Sequence, residues 1–321
     1  MELKHKSVLV TGGAGFIGSS LVRELEKKEN EVVVIDNLVA GSLEHLEGTK
    51  ANFIKGDIRN EELLNHIMKR NSIEYCFHLA AEPYIPKGYG NPELMFQINT
   101  LGTISVLKAC KENKVKKIIN YSTSEIYGTA QYTPMDESHP INPHSIYATS
   151  KLAAERACYI LWKEQQIPVT ILRQFNCYGE REGQPYIIPE IISQFTHKGN
   201  ILHLGNIMAK RDFTYVGDAS KASILLMETD NTEGLAVNYG RGETIAVKDI
   251  AKVIANQMGI KNWGVEIQSN RLRPFDVNVL QCDTTYFDQL TGGLEHIPFE
   301  EGIKRTVEYY IEHDCKWSWE N

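Results

Sequence analysis

A glycine run set between a strand-like and a helix-like segment leaves this chain few folds to choose from. Gly12-Gly13-Ala14-Gly15-Phe16-Ile17-Gly18 places glycines at a G-x-x-G-x-x-G spacing. The run leaves the β-prone stretch Ser7–Val10, and Phe16, Ile17, Leu21, Val22 and Leu25 then recur at helical spacing. A strand that turns sharply into a helix aims backbone N–H groups and the helix N-terminus at a pyrophosphate, with no Cβ in the way. Glycine triples of this spacing also arise by chance, so the weight rests on the strand–loop–helix setting. Val32–Ile35 reads as a second buried strand closed by Asp36 and Asn37. A carboxylate there accepts hydrogen bonds from a ribose 2′-hydroxyl and repels a 2′-phosphate, so NAD is expected over NADP. Gly56-Asp57-Ile58, after the third strand, reads either as a bracket for the adenine or as a plain strand-end turn.

The strand–turn–helix rhythm continues. Asn52–Lys55, a helix near Glu61–Lys69, Tyr75–Ala80, a helix near Glu93–Glu112 and Lys117–Ser122 follow in order. A long helix beginning near Tyr147 leads to a sixth strand, Pro168–Arg173. Strands separated by helices predict an α/β fold: a Rossmann-type doubly wound parallel sheet. Beyond Arg173 the rhythm loosens, with amphipathic pieces at Ile187–His197 and Val247–Met258 and one more strand at Leu235–Tyr239. The expected division is an NAD-binding domain of residues 1–175 plus about 212–258. A smaller interleaved α/β substrate domain takes about 176–211 and 259–321.

Composition narrows the function. The 321 residues are 42% hydrophobic and 23% charged, and the net charge is −7. That balance suits a globular chain and gives no basic excess for binding nucleic acid. No apolar run approaches the roughly 18 residues that span a bilayer. The six cysteines are scattered without a C-x-x-C pair, which reads as reduced core thiols in a cytoplasmic protein, and no metal site is expected.

Two Tyr-x-x-x-Lys pairs occur, Tyr147/Lys151 and Tyr159/Lys163, so spacing alone does not choose between them. Setting does. Tyr147 opens a helix after the turn Pro140–His144, whereas Tyr159 lies deep in an apolar helical stretch, where packing and a surface charge explain the pair. Residues i and i+4 share a helix face, so Lys151 is expected to hold its ammonium near the Tyr147 phenol and lower its pKa, making a general base.

The Gly12/Gly15/Gly18 loop, Asp36, His78-Leu79-Ala80-Ala81, Asn99, Ser122–Gly128 and Tyr147/Lys151 stand in the order seen in the extended short-chain dehydrogenases. The chain resembles their NAD-dependent sugar-nucleotide epimerase/dehydratase branch over its whole length. The resemblance implies NAD contacts from Gly12, Gly15, Phe16, Ile17, Gly18, Asp36, Asn37, Asp57, Ile58, Leu79, Ala80, Ala81, Asn99, Tyr147 and Lys151. It also implies a homodimer paired through the helices near Glu93–Glu112 and Tyr147–Glu164.

Thr123-Ser124-Glu125 before Ile126-Tyr127-Gly128 is similar to the 4,6-dehydratases of that family. Elimination across C5–C6 of a sugar needs a base for the C5 proton, and a strand-end carboxyl such as Glu125 supplies one. The implied roles are Tyr147 as base at the C4 hydroxyl, Thr123 as partner of O4, and Glu125, aided by Ser124, in water loss. Asn176 in Arg173-Gln-Phe-Asn-Cys-Tyr-Gly179, with Arg211 and Arg273, resembles the family's diphosphate clamp, and guanidinium forks suit phosphate oxygens. Glu82 sits in a loop expected to face the sugar. The closest resemblance is to UDP-N-acetylglucosamine 4,6-dehydratases of the legionaminic-acid type, then to GDP-mannose 4,6-dehydratases. A 4-epimerase, a C4 dehydrogenase, a UDP-glucuronate decarboxylase and a non-catalytic NAD sensor are the competing readings.

Overall fold

The computed structural model describes residues 2–271 and 278–315. β1 (Ser7–Thr11) runs into α1 (Phe16–Lys27), followed by β2 (Glu31–Asp36) and β3 (Asn52–Lys55). α2 (Glu61–Arg70), β4 (Tyr75–His78) and the short α3 (Lys87–Gly90) come next. α4 (Pro92–Phe96) passes through a π turn, Gln97–Gly102, into α5 (Thr103–Glu112). β5 (Lys117–Thr123), a 3-10 turn at Ser124–Tyr127, α6 (Ile146–Gln165) and β6 (Val169–Gln174) complete the regular half.

The second half begins with β7 (Asn176–Tyr178), α7 (Ile187–His197), β8 (Ile201–Leu204) and β9 (Lys210–Arg211). β10 (Phe213–Tyr215), α8 (Val216–Glu228) and β11 (Ala236–Tyr239) return to the sheet. β12 (Ile245–Ala246), α9 (Val247–Gln257), β13 (Gly264–Ile267), β14 (Val279–Leu280), α10 (Thr285–Thr291) and α11 (Phe299–Glu312) follow.

Seven strands pair in the order β11-β6-β5-β4-β1-β2-β3, every pair parallel. Alternation along each strand feeds two cores. Val8, Val10, Val32, Val34 and Phe77 face one, with α1 and α8, while Leu9, Val33, Ile35 and Cys76 face the other, with α2 and α5. The chain reverses direction across the sheet between β1 and β4, so a crevice opens at their carboxyl ends. His78 ties that edge, with Thr11 Oγ1 at 2.7 Å and Thr103 Oγ1 at 2.9 Å on its two ring nitrogens. Burial, then the Lys151 charge, pushes the imidazole down to about 3.

A third core joins α7, α9, α11 and β8 above the crevice. Here the expected division shifts. Val247, Ile250 and Ile254 of α9 pack into this third core rather than under the sheet, so residues 247–257 leave the domain assigned to them. Phe287 of α10 packs the other way, on Tyr239 of β11 at 4.7 Å between ring centroids. Helical periodicity announces an apolar face without saying which core receives it. Tyr75–Ala80 also ends early as a strand, at His78. No described helix is long and apolar enough to cross a membrane.

Candidate active site

The crevice is a cleft of about 1030 Å³ between the sheet's carboxyl edge and the third core. Its floor is the glycine loop. Gly12 takes φ +72° and packs so closely under the 79–80 peptide that a Cβ would lie 2.7 Å from Ala80 N. At Gly18 a Cβ would meet Gly12 O at 2.1 Å, so the helix can approach the loop only without a side chain. No side chain caps the N-terminus of α1, whose first N–H groups therefore stay available to an anion. Asp36 closes β2 at the same mouth, its Oδ2 accepting from Ala14 N at 3.1 Å and its Oδ1 from Leu38 N at 2.8 Å. Burial raises its carboxyl, and those two N–H groups oppose the rise. A glycine floor, an uncapped helix start and a held carboxylate fit the pyrophosphate and ribose of NAD.

Gly12, Gly15, Phe16, Ile17, Gly18, Asp36, Asn37, Asp57, Ile58, Leu79, Ala80 and Ala81 all line the cleft. The Asp57 carboxylate is already forked by Arg59, Nε at 2.9 Å and Nη2 at 2.6 Å, which holds its pKa below the usual range. Asn99 behaves differently from the expected cofactor contact. It does not line the cleft; its side chain accepts from Glu82 N at 2.8 Å and donates to Glu82 O at 3.2 Å and Ser150 Oγ at 2.9 Å. It ties the 82 loop to α6.

The residues expected to react come from two neighbouring elements. Thr123 ends β5 and caps the following turn, its Oγ1 accepting from Glu125 N at 3.2 Å. Ser145 caps α6 by accepting from Ala148 N at 3.0 Å, which puts Tyr147 on the first turn and Lys151 one turn later. Thr123, Glu125, Tyr147 and Lys151 all line the cleft. Ser124 does not; it is buried behind the turn. The expected lowering of the phenol is absent. Burial raises Tyr147 to about 12, a hydrogen bond from Thr123 pulls it down, and the Glu125 charge pushes it up. The same burial takes Lys151 down to about 8, against the opposing pull of Cys158 and Glu155.

Beneath these groups lies a buried network. Glu155 Oε2 accepts from Ser122 Oγ at 3.0 Å and from Arg173 Nε at 3.1 Å. Arg173 Nη1 donates to the Tyr127 hydroxyl at 2.8 Å, which donates to Asn238 Oδ1 at 2.7 Å. The network joins α6 to both ends of the 122–127 segment. Tyr159 and Lys163 lie outside the cleft, the ammonium 5.9 Å from the ring centroid.

Asn176, Arg211 and Glu82 also line the cleft, and Glu82 is held by Lys87 Nζ at 3.0 Å. Arg273 and the Trp317/Trp319 tail lie outside the described residues. Sequence reasoning missed Arg271, Glu182 and Tyr186, which also line the cleft. Arg271 Nη1 donates to Glu190 Oε1 at 2.9 Å; the paired arginines of Asn270-Arg-Leu-Arg-Pro274 were its signal. Among the described residues no three His, Cys, Asp or Glu converge as a metal site.

A family model for GDP-mannose 4,6-dehydratase matches residues 9–306. A Methanocaldococcus jannaschii protein provisionally named UDP-glucose 4-epimerase is 33% identical over 94% of this chain and 97% of its own length. The UDP-N-acetylglucosamine 4-epimerase structure of Methanobrevibacter ruminantium superposes with TM-score 0.88 at 31% identity, over 97% and 99% of the two chains. A dTDP-glucose 4,6-dehydratase from Streptomyces venezuelae, solved with NAD bound, gives 0.89 at 25% identity over 98% and 100%. A Rossmann cleft built for NAD and a Thr/Glu/Tyr/Lys constellation thus meet in one chain, and it belongs to the GDP-mannose 4,6-dehydratase family of NAD-dependent nucleotide-sugar dehydratases and epimerases.

Proposed function

We propose that the chain is a nucleotide-sugar 4,6-dehydratase, acting on a UDP- or GDP-linked hexose to give a 4-keto-6-deoxy sugar. The observation that carries this reading is the Glu125 carboxyl, which lines the cleft and acts electrostatically on the Tyr147 phenol. Epimerisation at C4 has no use for a second base there, whereas elimination does. NAD, held by the glycine loop, Asp36 and Lys151, would supply the hydride exchange by which oxidation at C4 and reduction at C6 cancel, with C5 taking a solvent proton as C6 is reduced.

Tyr147 takes the proton of the C4 hydroxyl, with Thr123 orienting the oxygen. The resulting 4-ketone acidifies the C5–H. Glu125 removes that proton, the C6–O bond breaks, and the same carboxyl returns a proton to the departing oxygen, which leaves as water. Ser124, buried behind the turn, takes no part in this account. Asn176 and Arg211 hold the diphosphate end, joined on that wall by Arg271.

Incubation with a panel of UDP-, GDP- and dTDP-hexoses in deuterated water, read by mass spectrometry, tests the reading. Loss of one water with one solvent deuterium gained supports it. A product of unchanged mass favours 4-epimerisation, the activity for which the Methanobrevibacter protein is named, and loss of carbon dioxide a decarboxylase. E125Q should cut dehydration by about 10²–10⁴-fold while C4 oxidation, seen as reduced nicotinamide absorbance, persists.

A further inference from the structure

The loop between β7 and α7 crosses the crevice, and no step of the mechanism uses it. Its residues 182–186 line the cleft. On one side Arg181 Nε donates to Ser19 Oγ at 3.0 Å, in the first turn of α1. Ser19 Oγ donates in turn to Phe16 O at 3.0 Å, so this fastening meets the helix start that leaves the glycine loop. On the other side the Tyr186 hydroxyl donates to Pro83 O at 3.4 Å. α1 follows β1 and Pro83 follows β4, so the two bonds land on the two banks of the β1–β4 crevice.

Behind the cleft the same loop is tied to the third core. The Tyr215 hydroxyl donates to Glu180 Oε1 at 2.6 Å, and the Tyr310 hydroxyl donates to Glu182 O at 2.7 Å. The Arg181 guanidinium also lies over the Tyr309 ring, 5.7 Å from its centroid. Arg181 holds φ +68°, a left-handed backbone that glycine takes more easily. What arginine adds at this turn is the side chain that reaches α1.

We propose that residues 180–186 form a strap that retains NAD, with Arg181 and Tyr186 as its two fastenings. The loop is anchored on the third core and spans the crevice at the sheet's carboxyl edge, where a dinucleotide on the glycine floor lies. A reaction that takes a hydride and returns it, whether dehydration or 4-epimerisation, never needs to exchange its cofactor. Reduced cofactor lost between the two transfers would strand the sugar as a ketone. The strap keeps both transfers within one encounter, and its fastenings part before the dinucleotide leaves. The inference stands on the NAD site, whatever the sugar.

Protein loaded with NADH and mixed rapidly with excess NAD reports the release rate through the loss of bound-NADH fluorescence. R181G keeps the positive φ and removes one fastening; it should release NADH about tenfold faster than wild type. Y186F should release it about threefold faster, and R181G/Y186F about thirtyfold, because the two bonds hold separate ends. S19A cuts the first fastening from the α1 side, so R181G/S19A should release no faster than the faster of its two single variants. R181G releasing NADH at the wild-type rate overturns the strap. So does R181G/S19A showing the full product of its single effects, the mark of a general loosening. Should R181G fail to fold, Y186F, which alters one hydroxyl, carries the test, and release at the wild-type rate again overturns it. A wild-type protein that takes up no NADH sinks the NAD site itself, and the loading step shows this separately.

Discussion

Tyr147 and Lys151 stand one turn apart on α6, and burial moves their titrations in opposite directions, to about 12 and about 8. As pH rises, the lysine gives up its proton before the tyrosine does. A cation with a lowered pKa keeps its charge only below that value, so the proposed hold of the Lys151 ammonium on NAD is expected to weaken as pH rises through about 8. Measuring NAD dissociation against pH checks this: K151M should release NAD faster and lose the step. Y147F should cost about 10²–10⁴-fold in turnover with NAD content unchanged. The glycine triple, Asp36 and the tyrosine–lysine pair were legible because each is a local demand, a positive φ, a strand end or an i,i+4 spacing. Glu182 and Tyr186 carry no such mark; they become site residues only because a loop between β7 and α7 folds back over the cleft.

At the scale of elements, α6 and the turn after β5 are tied together through the Glu155–Arg173 pair, both side chains almost wholly buried. Removing one partner leaves the other charge buried alone, so E155Q should cost about 3–5 kcal/mol in urea unfolding. E155M/R173M, which removes both charges, should recover much of that loss, which a double-mutant cycle would show as strong coupling. The pair was not foreseen because it joins a helix to a strand 18 positions away with no shared motif. The strands themselves were foreseen, since both faces of a parallel sheet are covered and the runs are apolar throughout. The π turn at Gln97–Gly102 was not: the apolar pattern passes through it unbroken, and only the Asn99 bonds to the 82 loop and α6 show its use.

For the whole molecule, the homodimer expected from the resemblance, paired through α5 and α6, would cover exposed aliphatic side chains on α6 and the turn before α5. Leu101 is 56% exposed and Ile160 46% exposed on these segments. L101E/I160E should shift the mass measured by light scattering from two chains to one; a wild-type chain that is already monomeric refutes the pairing. The division into sheet cores and a third core was only half legible, because α9 packs into the third core while α10 returns to the sheet. The edge strand β11, which covers β6, is likewise drawn from the second half. During synthesis the nascent sheet therefore leaves the ribosome with β6 as an open, adhesive rim. It must wait for Ala236–Tyr239, and then for Phe287, before that rim is sealed. A message truncated within this interval yields a chain holding the whole Tyr147/Lys151 helix, but prone to aggregate before it can bind anything.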